Sequence, residues 1–150
     1  AGAMGLGQFI PSSYRRYAID FDEDGFRDIW HNRADAIGSV ANYLAEHGWQ
    51  RDRQIAIQVE GAHAPEELFD VSLKPSITAQ ELMLKGITTT LSDAENVSPM
   101  RLMGKQGAEY WLGLPNFYVI TRYNHSKLYA MAVFQLSEDL SKGYSKVAAK

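Results

Sequence analysis

The chain of 150 residues has no cysteine. Disulfides, thiolate zinc sites and thiol redox chemistry are therefore excluded, while the compartment stays open. No apolar run approaches the roughly 18 to 20 residues that span a bilayer, and no signal-peptide pattern stands at the start. A basic block is also missing: 15 Lys and Arg against 18 Asp and Glu leave a net charge of -3. Such a chain cannot neutralise a run of phosphates, so nucleic acid is not an expected partner. Repeats and low-complexity tracts are absent as well. What is there is ordinary globular usage, 45% hydrophobic and 22% charged, enough for one compact soluble domain with room for a small subdomain.

The opening AGAMGLGQFIPSSY is rich in glycine, which predicts close backbone packing, and Pro11 is placed to start a short helix. In DAIGSVANYLAEHG, residues Ile37, Val40, Ala41 and Leu44 recur at helical spacing, with Asp35 available as N-cap and Gly48 just past the end. The pattern predicts a helix over 36–47. QIAIQV at 54–59 alternates like a strand, and Pro65, Pro75 and Pro99 read as turns. SITAQELMLKG reads as a short helix with a Thr78/Glu81 capping box closed by Gly86. MRLM at 100–103 and EYWLGL at 109–114 read as further strands, so that 51–113 forms a small antiparallel unit inserted into a helical frame. NFYVITRY suits either a strand or a helix. From Ser126 onward Leu128, Met131, Ala132, Gln135 and Leu136 share one side of a second long helix.

The densest signal is DFDEDGFRD at 20–28. An EF-hand loop asks for oxygen ligands at positions 1, 3, 5, 7 and 9 and a glycine at 6. Asp20, Asp22, Asp24, Gly25, the carbonyl of Phe26, and Asp28 fill those places in order. Converging carboxylates favour a hard dication, with calcium first because it takes six to eight oxygens. Position 12 is His31, a poor ligand for that ion, so a bidentate carboxylate has to come from elsewhere, and Asp35 is the nearest candidate. The same residues also fit a solvated acidic turn and, for Asp35, a simple helix cap. A lone loop of this kind reads as a structural ion site tying the chain to the next helix, not as a seat of catalysis.

AGAMGLGQFIPSSY, DAIGSVANYLAEHGW and GLPNFYVITRYNHSKLYAMAV, taken in series with the aspartate loop, resemble the lytic transglycosylase B family of bacterial peptidoglycan-cleaving enzymes. The resemblance covers nearly the whole chain, with one extra residue before Asp35. It implies an α+β fold with a lysozyme-like, mainly helical core, here 1–50 and 114–150, an EF-hand-like calcium loop with Asp35 among its ligands, and the insertion at 51–113. It also implies cleavage of the β-1,4 bond between N-acetylmuramic acid and N-acetylglucosamine. The muramoyl 6-hydroxyl attacks its own anomeric carbon and a 1,6-anhydro product leaves, with one glutamate serving as acid and then base. By matching motif Gln8 would bond substrate, Tyr43 would line the cleft, and Tyr123, Asn124 and Tyr129 would flank the catalytic acid. Two of these have an ordinary structural alternative: Tyr43 as a packed aromatic, Asn124 as the cap of the last helix.

The glutamate that the family places upstream of GLGQF has no counterpart here, since none of Glu23, Glu46, Glu60, Glu66, Glu67, Glu81, Glu95, Glu109 or Glu138 occupies a matching position. This chain alone is thus expected to be inactive, a C-terminal portion whose partner is an N-terminal fragment of the same enzyme. The alternative is a calcium-stabilised module that binds glycan without breaking it. The resemblance implies peptidoglycan strands as partner and a periplasmic location in a Gram-negative cell, with any lipid anchor to the outer membrane lying upstream.

Overall fold

The computed structural model describes residues 2–61 and 63–148. The chain divides into two compact units, 1–49 and 50–150.

In the first unit Met4 and Phe9 exchange backbone bonds of 2.8 and 3.0 Å, closing a tight turn over Gly5 to Gln8. Helix α1, Pro11–Tyr17, follows with proline in its first turn, where the missing N–H is harmless. Helix α2 spans Arg33–Glu46. It starts earlier than the sequence pattern suggested because Asn32, not Asp35, is the cap: its Oδ1 accepts the N–H groups of Ala34 at 2.9 Å and Asp35 at 3.3 Å. At the other end Gly48 stands at φ +93. Its N–H reaches the Ala45 carbonyl at 2.9 Å and that of Trp49 reaches Leu44 at 3.0 Å, the paired closure that a glycine past a helix end permits.

The two faces of α2 depart from ordinary amphipathic packing. Its inward face buries Ala36 and Tyr43 but also carries a polar stripe. Asp35, Ser39 and Asn42, at helical spacing, seize the backbone of the preceding segment: Asp35 Oδ1 accepts Phe21 N–H at 2.7 Å, Ser39 Oγ accepts Ile19 N–H at 3.0 Å, and Asn42 Nδ2 donates to the Tyr17 carbonyl at 3.0 Å. That segment makes no sheet, so these side chains supply partners its backbone needs. The apolar stripe read from the sequence lies outward. Ile37 is 70% exposed, and Val40, Ala41 and Leu44 line an open groove of about 520 Å³ with Leu6 and Arg33.

The second unit is built on a four-stranded antiparallel sheet ordered β1-β4-β3-β2. The strands are β1, Ala56–Val59; β2, Ile77–Thr78; β3, Asn96–Gly104; and β4, Gly107–Gly113. Strand β3 is longer than MRLM and runs through Pro99, which pairs with Leu112 and is no turn. Proline is tolerated because the side of β3 away from β4 has strand pairing only at Val97 and Asn96. There the Pro99 carbonyl accepts Asp70 N–H at 3.0 Å, so the absent N–H faces an unladdered edge. Leu82, Ile87, Val97 and Leu112 are completely buried with Phe69 and Leu114 around them, each worth about 1.5–3 kcal/mol relative to exposure.

Helix α3, Ala79–Met83, carries the expected capping box, with Glu81 N–H on Thr78 Oγ1 at 3.2 Å and Thr78 N–H on Glu81 Oε2 at 2.9 Å. Segment NFYVITRY resolves as helix α4, Pro115–Tyr123, since Pro115 at its start is set for helical φ. Its Asn116 is fully buried and holds Gln50 from both sides, accepting its N–H at 2.8 Å and donating to its carbonyl at 2.7 Å. Helix α5, Lys127–Ala148, begins on Ser126, whose Oγ accepts Tyr129 N–H at 3.2 Å. Asn124 is therefore not its cap and instead ends α4. Of the stripe expected on α5 only Met131 is buried, beside Ala130, while Leu128 and Leu136 stay 64% and 59% exposed.

Candidate functional site

The loop between α1 and α2 folds around its own carboxylates. Asp20 accepts Asp24 N–H at 3.1 Å and Gly25 N–H at 2.8 Å, and Asp24 accepts Phe26 N–H at 2.9 Å. Gly25, at φ +94, makes the reversal that a side chain would resist. Asp22 is held from the far end, through a 2.8 Å bond from Asn32 Nδ2. Asp35 is fully buried and takes a backbone N–H on each oxygen, Phe21 at 2.7 Å and Asp28 at 2.8 Å.

Oxygens of Asp20, Asp22, Asp24 and Asp35 thereby lie within 4.8 Å of one another. Even in water each like-charged pair at that separation costs roughly 1 kcal/mol, and more where solvent is excluded. Among the described residues no lysine or arginine pairs with any of the four. Backbone N–H groups occupy some of the lone pairs and leave others free, so the donor set fits a hard cation with oxygen preference.

Asp28 stands outside this group of four. Its Oδ1 accepts the N–H groups of Trp30 at 2.9 Å and His31 at 3.0 Å, and His31 Nδ1 lies 3.2 Å from Oδ2. The His31 backbone N–H, then that of Trp30, holds its carboxyl below the usual aspartate range. Phe26 points its ring to solvent, 74% exposed.

The residues carried over for substrate divide between the units. Gln8 is exposed on its turn, at φ +52. Tyr43 is only 8% exposed: its ring stacks on His47 at 4.0 Å and meets Tyr17 edge-on at 4.8 Å, so it is first of all a packed aromatic. In the second unit Asn124 is exposed where α4 ends, Tyr123 is half-buried, and Tyr129 is 38% exposed on the first turn of α5.

Two residues with evident roles escaped the sequence reading. Asn32 links the cap of α2 to Asp22, and its place three residues before Asp35 is the spacing of a capping signal. Ile29 is 1% exposed, and its carbonyl accepts Leu6 N–H at 2.8 Å; no local pattern marks it.

Residues 1–138 match the transglycosylase SLT domain family. Membrane-bound lytic murein transglycosylase B of Escherichia coli K12 is 49% identical over 140 residues, covering 92% of this chain and 38% of that protein. Soluble lytic transglycosylase SltB1 of Pseudomonas aeruginosa superposes with a TM-score of 0.91 at 47% identity, over 97% of this chain and 49% of that one. Escherichia coli Slt35, in its complex with calcium, gives 0.83 at 43% identity, over 95% and 45%. This chain thus spans less than half the length of the relatives it matches. The likeness bears out the lysozyme-like α+β class. The chain belongs to the transglycosylase SLT domain family, in its lytic transglycosylase B branch.

Proposed function

We propose that this chain is the substrate-holding, ion-stabilised portion of a peptidoglycan lytic transglycosylase. The reaction is cleavage of the β-1,4 bond from N-acetylmuramic acid to N-acetylglucosamine. A glutamate protonates the departing oxygen, then takes the proton of the muramoyl 6-hydroxyl as that oxygen closes on the anomeric carbon. The 1,6-anhydro product contains no added water. The observation that supports this most is the 49% identity to lytic murein transglycosylase B over 140 residues.

Within that reaction the residues of this chain bind and orient. Gln8 on its turn and Asn124 with Tyr123 and Tyr129 hydrogen-bond and flank the sugars, and Tyr43, packed against Tyr17 and His47, lines the cleft. The acid-base glutamate comes from the part of the enzyme that precedes GLGQF, and 1–50 with 114–150 make up the core portion while 51–113 is the insertion. Asp20, Asp22, Asp24 and Asp35 would hold calcium, completed by the Phe26 carbonyl and by Asp28, which at the ninth loop position commonly acts through a water. The ion's contribution is structural: it offsets the charge of four carboxylates. Action on peptidoglycan implies a periplasmic parent enzyme. Among the described residues no helix is long and apolar enough to cross a membrane.

The test uses the enzyme with its preceding segment and purified peptidoglycan. Released muropeptides should carry the mass of the anhydro form, lighter by one water than a hydrolase product, and Asn124→Ala should slow their release about tenfold or more. Products with the hydrolytic mass would overturn the proposed reaction.

A further inference from the structure

Asp70 stands at φ +63, a left-handed conformation that residues with a side chain keep only where surroundings enforce it. The surroundings are the edge of β3 that β2 does not reach. Asp70 N–H donates to the Pro99 carbonyl at 3.0 Å, and its Oδ1 accepts the Arg101 N–H at 3.4 Å. A carboxylate does there what the carbonyl of a neighbouring strand would do. The Arg101 carbonyl is taken by Lys127, whose Nζ donates to it at 3.1 Å and lies 2.6 Å from Asp70 Oδ1. One charge pair thus serves both backbone groups of Arg101 on that edge. Ion pairs between freely moving side chains in water contribute little. This pair differs, because its acid is fixed by the Asp70 backbone and its ammonium by a sheet carbonyl.

Lys127 is the first residue of α5, and Asn124 ends α4 just before it. Local bonds make this turn one unit. Ser126 N–H donates to the Asn124 carbonyl at 2.7 Å, Ser126 Oγ accepts Tyr129 N–H at 3.2 Å, and the Ser126 carbonyl accepts Ala130 N–H at 3.0 Å. Whatever fixes Lys127 therefore fixes Asn124 and Tyr129 with it.

We propose that Asp70 and Lys127 are positioning residues for the reaction: the pair docks the turn between α4 and α5 on β3 and sets Asn124 and Tyr129 for the sugars. The proposal rests on the reading of those two as substrate residues and adds what holds them, a residue of the insertion that itself meets no sugar. A misplacement of about 1 Å in such groups slows chemistry up to about a hundredfold.

The test uses the enzyme with its preceding segment and a soluble oligosaccharide of alternating N-acetylglucosamine and N-acetylmuramic acid, below the melting temperature of every variant. Asp70→Asn keeps a side chain that tolerates the left-handed region and loses the charge. Lys127→Met keeps the stem and loses the ammonium. Each should lower kcat about tenfold with KM within about twofold of native, and the double variant should be no slower than either, since the two act as a unit. The amide resonances of Ser126 and Tyr129 should shift in both, while those of β4 stay in place. Leu112→Ala, which weakens the same unit through its core, should keep kcat within about twofold of native.

Native kcat in both charge variants beside a slow Asn124→Ala would overturn the pair as positioning residues. So would an equal loss of kcat in Leu112→Ala, which would reduce the effect to stability. Native kcat in Asn124→Ala itself would overturn the substrate reading of that residue, and the proposal with it.

Discussion

The strap from Tyr17 to Asp35 and the sheet of the second unit are ordered by opposite means. The strap leaves Phe21 and Phe26 62% and 74% exposed and is held by polar side chains gripping backbone, chiefly Asp35, Ser39 and Asn42 from one helix face. In the sheet unit the grip is apolar, with Leu82, Ile87, Val97 and Leu112 fully buried. The difference teaches where each region is vulnerable: the strap to charge, ions and acid, the sheet to lost volume.

The comparison is broken most severely by deleting one side chain from each region. Leu112→Ala should cost about 2–5 kcal/mol through the cavity it leaves, measured by urea unfolding, and should leave any response to chelator intact. Asp35→Ala strips the partner from two backbone N–H groups and should cost about 3 kcal/mol, while abolishing that response. Equal chelator sensitivity in both variants would erase the distinction.

Chelation itself comes next. An ion bound only by the folded strap adds about 2.7 kcal/mol at a hundredfold excess over its Kd, so a chelator should lower the melting temperature and speed amide exchange at Gly25 before it touches the β3–β4 ladder. Smaller still are two glycines at similar φ, Gly25 at +94 and Gly86 at +90, each with open space where a Cβ would stand. Alanine at either should cost about 1–2 kcal/mol by strain alone, but only Gly25→Ala should also weaken calcium.

The smallest effect is a pH dependence. Asp28 and Glu81 both have carboxyls lowered in the folded protein, the first chiefly by the His31 N–H and the second by the Thr78 N–H. Protonation therefore favours the unfolded chain. Their contribution is fully present above the ordinary values of about 3.9 and 4.3 and is lost as pH falls through the lower folded values. Thermal melts between pH 7 and pH 3 should show a shallower acid loss in Asp28→Asn, and in Glu81→Gln, than in the native chain.

Much of this organisation was legible in the sequence, and the reasons differ by residue. The gathering of Asp20, Asp22 and Asp24 was readable because side-chain spacing in a short loop is a local property, as is the Thr78/Glu81 capping box. The direction of the α2 stripe was not. Ile37, Val40, Ala41 and Leu44 mark an apolar face, yet spacing does not say what covers it, whereas the polar stripe 35, 39, 42 acts through backbone groups that lie 7 to 25 residues earlier in the chain. Pro99 reads as a turn until the strand edge it faces is known. Tyr43 is the same on paper whether it lines a cleft or packs on His47. Ile29 carries no motif, because its role lies in a backbone carbonyl.

The most direct measurement is calorimetric titration of the full chain with calcium. One ion per chain is expected, with binding lost in Asp22→Ala and Asp35→Ala and kept in Leu112→Ala. No heat and no shift in melting temperature at millimolar calcium would contradict the assignment of the four aspartates to an ion.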